Sequence, residues 1–418
     1  MRASERSANR EALNWFEQAR KAVDRLPVTA HSTAEAIDLC LEVRDPLFAL
    51  GELESVSEAL QQAQMLAEPL GDNYRLARVL SYFTPFYNWT SQPRLAVPSA
   101  TRALALVEGT EHVDVKAATL TFLGLTSVYT ADFSRAAEAF TRNIALLSGE
   151  LRLRRFGMNA LPGAYSRGLL GFVLAEQGQF AQALRIGEEA IEVAAEAKHP
   201  FSETAATCLL AHTHYRRGDL SIAVEVGEHA LDLSSASENQ IAHAFACAFL
   251  SGAYAGAGQV EKARSCAQRA EQLFADMRAS LGQRQARCVL VEAHLRAGAL
   301  DLALELASAT LELVRASGQR LLEVWLLNLI GEIHARWDPP ELERAQDAFI
   351  DAMTLATDLG MRPSLAHAEL GLGRVLTRMG KAEQACNRFT AALTSYRAMD
   401  MRTWPELVET DLRAIVPK

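Results

Sequence analysis

The sequence lacks the features that mark secreted, membrane-spanning or nucleic-acid-binding proteins. Its six cysteines form no C-x-x-C pair among 418 residues, which is typical of buried thiols in a reducing compartment. No apolar run approaches the ~20 residues of a membrane span, and residues 1–20 contain no apolar signal core. The net charge of -9 gives no basic field for nucleic acid or anionic lipid. These absences predict a cytoplasmic protein that contacts neither nucleic acid nor membrane directly.

Motifs for catalysis are missing as well. There is no G-x-x-x-x-G-K-[ST] loop for phosphate and no G-x-S-x-G nucleophile turn. His212 and His214 stand two residues apart, so on a helix they point to different sides and do not chelate one metal. His243 and Cys247 have the helical spacing of four, but no third ligand is near them in sequence. We therefore expect no enzyme, no cofactor and no metal site.

What the sequence does contain is a repeat of about forty residues. In each copy an apolar residue follows a turn residue by two positions and alanine follows it by five, as in Gly178, Phe180 and Ala183. A second small residue usually comes seven positions after the first. The turn residues are Gly51, Ser91, Ala131, Gly178, Gly218, Gly258, Gly298, Pro340 and Gly380, and the second small residues are Ala63, Ala103, Ala190, Ala230, Ala270, Ala352 and Ala392, with Asn143 and Thr310 as exceptions.

Both halves of each copy have the pattern of a helix. Small and large apolar residues share one face, and Gly, Pro, Asp and Ser cluster between copies, while no segment alternates as a strand does. Because one helix pair cannot bury its apolar face alone, neighbouring pairs must stack. The sequence predicts an all-α, right-handed superhelical solenoid of about nine helix–turn–helix repeats, residues 31–400. We expect capping helices at 1–30 and 401–418.

These residues resemble the tetratricopeptide repeat, whose G-x-[apolar]-x-x-A frame they share. The small and aromatic residues of its first helix are matched at Gly124 to Tyr129 and at Ser251 to Tyr254. The period of about forty is longer than the usual 34 of that family. In this respect the chain is similar to the tetratricopeptide-like sensor region of large bacterial signalling ATPases, some of which carry a nucleotide-cyclase or transcription-factor module. The resemblance implies a role in bacterial signalling or regulation.

One repeat is longer than the others, with 47 residues between its turn and the next. The additional residues fall within 148–163, where Arg152, Arg154 and Arg155 form the densest positive cluster of the chain. Guanidinium groups suit carboxylate or phosphate recognition. The insertion is therefore either a neutral loop on the rim or a loop that shapes a ligand site, to which Arg154, Arg155 and Asn159 would contribute.

First helices line the groove in this class of repeat, so their polar and aromatic residues are candidates for binding. The most aromatic stretch, residues 82–89, is one such position and offers anchors for an apolar side chain. Arg167 ranks first, because it follows the insertion. The groove candidates are Arg167, Asn88, Trp89, Tyr129, His212, His214, Tyr215 and Asn328.

Three functions fit such a chain. The first is a non-enzymatic module that binds a peptide, a partner protein or a small effector in the concave groove. The second is a structural scaffold that forms oligomers through its open repeat edges, which exposed apolar residues near Trp15 and Phe16 would favour. The third is an enzyme with a site inside the superhelix, which the fold alone does not support.

Overall fold

The protein is built from antiparallel helix pairs that follow one another along the chain. The computed structural model describes residues 2–50, 52–237 and 239–415, and within these ranges there are helices and connectors but no strand. Nine helix–turn–helix hairpins follow one another in the described residues, as the repeat predicts. None of the described helices combines the length and apolar character that a membrane span requires.

Each hairpin has a first helix, a turn and a second helix. Among the described residues, the first helix is α1 (Arg2–Val23) and the last is α21 (Thr403–Ile415). The first helices are α2 (Ala30–Glu42, followed directly by the short α3, Arg44–Leu50), α5 (Asn73–Trp89), α7 (Val113–Tyr129), α9 (Pro162–Glu176), α11 (Pro200–Arg217), α13 (Gln240–Gly256), α15 (Ser280–Arg296), α17 (Arg320–Arg336) and α19 (Arg362–Arg378). The second helices are α4 (Leu53–Leu70), α6 (Pro93–Leu106), α8 (Phe133–Leu146), α10 (Phe180–Glu196), α12 (Leu220–Ser237), α14 (Val260–Asp276), α16 (Leu300–Ser317), α18 (Leu342–Leu359) and α20 (Ala382–Ala398).

The turn residues lie between helices, where the repeat places them. Gly178 and Gly218 have φ of 77° and 96°, the left-handed conformation that ends a helix tightly. Ser91 and Ala131 adopt the same conformation at φ 58° without being glycine, which costs about 1 kcal/mol each. At these two positions the chain therefore keeps the left-handed turn although neither residue favours it. The predicted turn at Gly51 lies outside the described residues.

The small residues of the repeat are the contact points between helices. Among the described residues, Ala183 and its counterparts in the other hairpins are fully buried, and so are the second small residues seven positions later. Both exceptions to the alanine pattern are also buried: the Asn143 amide donates to Ser166 Oγ at 3.0 Å, and the Thr310 hydroxyl donates to the Leu306 carbonyl at 2.7 Å. A methyl side chain lets two helix axes approach closely, so these positions set the spacing of the hairpins.

Contacts divide the chain into two compact units, residues 1–123 and 124–418, and the division falls within α7. Unit 1 has its own apolar core, in which Ile37, Leu60 and Phe83 are buried. The main core of unit 2 extends from Val128 to Val408. Each unit buries its apolar faces by stacking hairpins, as expected for a repeat protein.

In unit 2 the first helices also contact one another. Each of α9, α11, α13, α15 and α17 contacts the first helix of the next hairpin, and α9 in addition contacts α19. The segment after α20 returns to the early turns of the unit. The Thr403 hydroxyl donates to the Gly218 carbonyl at 2.8 Å, and Arg217 Nη2 lies 2.7 Å from Asp400 Oδ2. The first helices therefore enclose an inner surface.

The 47-residue repeat carries its additional residues between α8 and α9. They form a short 3-10 helix, Gly149–Leu153, and an irregular segment up to Leu161. Leu161 is buried against Val193 and Ala194 of α10, and its amide donates to Ser202 Oγ at 2.7 Å. The insertion is thus packed on its own hairpin and on the start of α11.

The two turn glycines Gly178 and Gly258 provide a matched test of the turn. Both have φ near 75°, but a Cβ at Gly178 would overlap Met399 Sδ and lie 2.8 Å from its Cγ, whereas no described atom lies within 4 Å of a Cβ at Gly258. We expect Gly258→Ala to lower the free energy of unfolding by about 1 kcal/mol, from backbone strain alone. Gly178→Ala should cost about 2 kcal/mol more through overpacking.

Urea denaturation of both variants, followed by circular dichroism, measures the difference. Equal losses of stability would show that Met399 does not pack against the Gly178 turn.

Candidate functional site

The inner surface of unit 2 carries an apolar pocket. It contains about 490 Å³ of space free of atoms, part of which is open to solvent. Five consecutive first helices supply its walls, and several of its rings are only partly buried. Its lining residues are Leu125, Val128 and Tyr129 of α7, Tyr165, Leu169 and Phe172 of α9, Phe201, Ala205, Cys208 and Leu209 of α11, Phe245 and Phe249 of α13, and Gln285 of α15.

Tyr129 and Gln285 form the polar edge of this pocket. The Tyr129 hydroxyl donates to Gln285 Oε1 at 2.8 Å, which links α7 to α15. Burial raises the pKa of Tyr129 well above its usual value, so this hydroxyl keeps its proton and acts as the donor. Burial likewise raises the pKa of Tyr165 to about 12. The pocket therefore has apolar walls, and its ionisable groups are neutral.

A fully buried carboxylate lies next to the pocket. Glu176, at the end of α9, is 0% exposed. His212 Nε2 and Arg216 Nε lie 3.1 and 2.9 Å from its Oε1, although the Nε–H of Arg216 does not point along a hydrogen bond. Its Oε2 accepts from Arg216 Nη2 at 3.2 Å and from Trp325 Nε1 at 3.3 Å. Arg216 Nη2 also donates to Ser364 Oγ at 2.8 Å. We call these five residues the Glu176 network.

Charge pairing keeps the Glu176 carboxylate of this network ionised. Burial alone would raise the pKa of Glu176, but the charge of Arg216 and the hydrogen bonds from His212 and Trp325 outweigh it and lower that pKa. Burial lowers the pKa of His212, with Glu176 opposing, so the imidazole is neutral near pH 7. The network ties α9 and α11 to α17 and α19. The His212 ring stacks on Phe172 at 4.7 Å between centroids, so it also supports a wall of the pocket.

A second chain of polar contacts continues along the inner surface. The Tyr215 hydroxyl donates to Glu292 Oε2 at 2.8 Å, and Arg296 lies 3.4 Å from Glu292 and 2.9 Å from Glu332. Burial would lower the pKa of Arg296, but the two carboxylates raise it. Each charge in this chain has a partner of opposite sign, so these groups fix helices in place.

Arg167, our first candidate from the sequence, lies outside the pocket lining. Its Nη1 donates to the Gly163 carbonyl at 2.7 Å, and its Nε lies 3.9 Å from Glu189 of α10. Arg154 and Arg155 of the insertion are exposed, and so is Asn159. Arg155 Nε donates to the Met158 carbonyl at 3.1 Å. The four residues thus lie around the start of α9, and a role in binding there stays a prediction.

The other candidates divide between the units. Asn88 and Trp89 lie in unit 1, where the Asn88 amide donates to the Phe122 carbonyl at 3.2 Å and the Trp89 ring meets Phe48 edge-on at 6.2 Å. His214 turns away from His212 and pairs with Asp219 at 3.3 Å. Asn328 of α17 donates to the Val324 carbonyl at 3.1 Å. Tyr129, His212, Tyr215 and Asn328 therefore lie on first helices of unit 2, and of these only Tyr129 lines the pocket.

Sequence reasoning missed Glu176, Arg216, Trp325 and Gln285 as site residues. Glu176 and Arg216 each stand two positions before a turn glycine, forty residues apart, so they occupy the same place in neighbouring hairpins. Opposite charges at equivalent positions of adjacent repeats could have indicated this ion pair from the sequence. Among the described residues, no group of three or more His, Cys, Asp or Glu side chains is arranged to hold a metal ion.

Comparison with known proteins supports the repeat. A model of the tetratricopeptide repeat matches residues 163–236. The crystal structure of a Rap protein complexed with competence and sporulation factor has 12% identity, covers 88% of this chain and 100% of its own, and gives a TM-score of 0.62. The Rap conjugation gene regulator of plasmid pLS20 in complex with the Phr* peptide has 12% identity, covers 88% and 97%, and gives 0.54.

A third structure is more distant. It is a signal transduction ATPase with a tetratricopeptide repeat sensor, from Pyrococcus horikoshii. It has 11% identity, covers 90% of this chain and 55% of its own, and gives a TM-score of 0.46. No curated protein matches the chain by sequence. At these identities the structural likeness establishes the tetratricopeptide-like fold and nothing further.

The Glu176 network predicts a large loss of stability when its carboxylate is removed. Glu176→Gln leaves the Arg216 guanidinium buried without a counter-charge, which should lower the free energy of unfolding by about 3 kcal/mol. Adding Arg216→Met should restore part of that loss, because the unpaired charge is then removed as well. Urea denaturation monitored by Trp fluorescence measures both effects.

Glu138→Gln is the matched control. Glu138 pairs with Arg142 at 3.6 Å on the exposed face of α8, so its loss should cost less than about 0.5 kcal/mol. Equal effects at positions 176 and 138 would contradict the network.

Stability should also fall on mild acidification. Burial and the charge of Arg216 lower the pKa of His367 to about 3, although Glu176 opposes this. In the unfolded chain this histidine takes up a proton near pH 6.5. The stability that neutral His367 contributes is therefore fully present above about pH 6.5, and it is lost progressively as the pH falls from about 6.5 to 3. His367→Gln keeps an acceptor for the Tyr396 hydroxyl, which lies 2.8 Å from His367 Nδ1.

We expect this variant to reduce the loss of stability between pH 6 and pH 5 by about 1.2 kcal/mol relative to the unmodified protein. Urea denaturation at pH 7, 6 and 5 measures it. Identical slopes would mean that His367 is already protonated in the folded state.

Proposed function

We propose that the chain is a recognition module that binds an apolar peptide segment in the pocket on the inner surface of unit 2. The observation that carries this proposal is the pocket itself. Four first helices supply rings to it, and on each of them at least one of these rings remains partly exposed although it faces inward. Rings held in a concave surface with neutral polar edges anchor apolar side chains of a partner. The Rap structures of the same fold were solved with competence and sporulation factor and with the Phr* peptide, which supports a peptide as the occupant.

We propose that this binding occurs without catalysis, in regulation or signalling within a bacterial cytoplasm. The inner carboxylates Glu176 and Glu292 are held by counter-charges and hydrogen bonds rather than left free to act on a substrate. The buried free thiols of Cys40, Cys208 and Cys288 suit a reducing compartment. On this proposal residues 31–400 form the recognition domain, and α1 and α21 cap it.

A display library of random octapeptides, selected on the immobilised full-length chain, tests the proposal. The unmodified protein should enrich peptides that share one large apolar residue. Ala205 lines the pocket from α11 and is partly exposed, so Ala205→Phe should fill the pocket and weaken binding of the selected peptides at least about tenfold.

Ala181→Phe is the control, because Ala181 is exposed on α10 and outside the pocket lining. It should bind the selected peptides as the unmodified protein does. Failure to enrich any common sequence, or equal binding by the Ala205→Phe variant, would refute the proposal.

A further inference from the structure

One polar group in the pocket lacks a partner. Gln285 is only 5% exposed and lines the pocket from α15. Its carbonyl oxygen is occupied by the Tyr129 hydroxyl at 2.8 Å. Among the described residues no group accepts a hydrogen bond from its Nε2. This Nε2 is not among the fully buried polar atoms that lack a partner, so it retains contact with solvent at the pocket. A ligand oxygen can replace water as its acceptor there.

The remainder of the lining restricts what that acceptor can be. None of the thirteen lining residues is Asp, Glu, Lys or Arg. A charged group placed there would lose its hydration without gaining a counter-ion, which is strongly unfavourable. The rings of Phe172, Phe201, Phe245 and Phe249 offer faces and edges for an apolar group about the size of one ring. The complementary occupant is therefore neutral, apolar in its body and polar at one atom.

We propose that Gln285 determines specificity, and that the pocket takes a neutral, ring-sized apolar group with one oxygen acceptor, which Gln285 Nε2 binds. This rests on the proposed function and names the chemistry of the group that anchors the ligand. A tyrosine side chain of a peptide and a free aromatic ketone share this chemistry. A carboxylate, an amine and a purely hydrocarbon group do not.

Acetophenone and α-methylstyrene provide a matched pair of probes, because they have nearly the same shape and differ in an oxygen acceptor. We would measure both dissociation constants by ligand-observed NMR titration of the full chain. Gln285→Met removes the donor and keeps the bulk of the side chain. The ratio of the two constants should shift about five- to tenfold towards α-methylstyrene in this variant, as expected for one hydrogen bond.

Two further variants control for structure. Gln319→Met changes another buried glutamine, which lies outside the pocket lining, and should leave the ratio unchanged. Gln285→Met strands the Tyr129 hydroxyl, so we would also compare Tyr129→Phe with the double variant Tyr129→Phe/Gln285→Met. Both of these variants lack the Tyr129 hydroxyl, so neither leaves it without a partner. Only the double variant should show the shift in the ratio of dissociation constants.

The outcomes separate this inference from the proposed function. An unchanged ratio, or no binding of either probe, would overturn the role of Gln285, while peptide selection could still succeed. Displacement of acetophenone by acetyl-Gly-Tyr-Gly-amide but not by acetyl-Gly-Phe-Gly-amide would support the inference with a peptide as the source. A shifted ratio with no displacement by either peptide would support it with a small molecule as the source, and would count against peptide binding.

Discussion

Close contact between alanine-bearing helices is the constraint on which this structure depends. In the hairpins that turn at Gly178, Gly218 and Gly258, a left-handed residue reverses the chain. A fully buried alanine five positions later, Ala183, Ala223 or Ala263, lets the two helices approach. A larger side chain there would separate the helices and displace every later hairpin, since each one packs on its neighbour. The chain keeps this geometry at Ala131, where the turn residue is strained.

The constant period of the repeat determines which residues meet on the inner surface. Residues at the same distance before successive turns come to lie side by side on neighbouring first helices. Glu176 and Arg216 each stand two positions before a turn glycine, and Phe172 and His212 each stand six before it. The first pair makes an ion pair and the second stacks. The site is therefore not carried by one loop or motif. It arises from equivalent positions of the repeat, whose side chains differ from copy to copy.

The sequence predicts the features that depend on neighbouring hairpins, but not those that depend on distant ones. Turns, helix order and buried small residues depend on contacts within one hairpin or between neighbours, so the frame at Gly218 and Ala223 determines them. The closure of unit 2 does not follow from the period. Contacts such as Trp325 with Glu176 join residues almost 150 positions apart, and they depend on small rotations that accumulate from hairpin to hairpin. For the same reason Gln285 could not be assigned to a pocket with Tyr129, although both lie on predicted first helices.

The Glu176 network and the pocket share the same first helices. A buried ion pair contributes little to stability compared with well-packed apolar side chains, because both charges lose hydration. Its geometry, however, is specific: Arg216 satisfies Glu176 and Ser364 together only in one relative position of α11, α9 and α19. A purely apolar contact would allow these helices to slide relative to one another. Phe172 contacts His212 of the network and also lines the pocket. The network, by fixing the positions of these helices, therefore also fixes the shape of the pocket wall. The polar network therefore serves the pocket by fixing its geometry rather than by adding to overall stability.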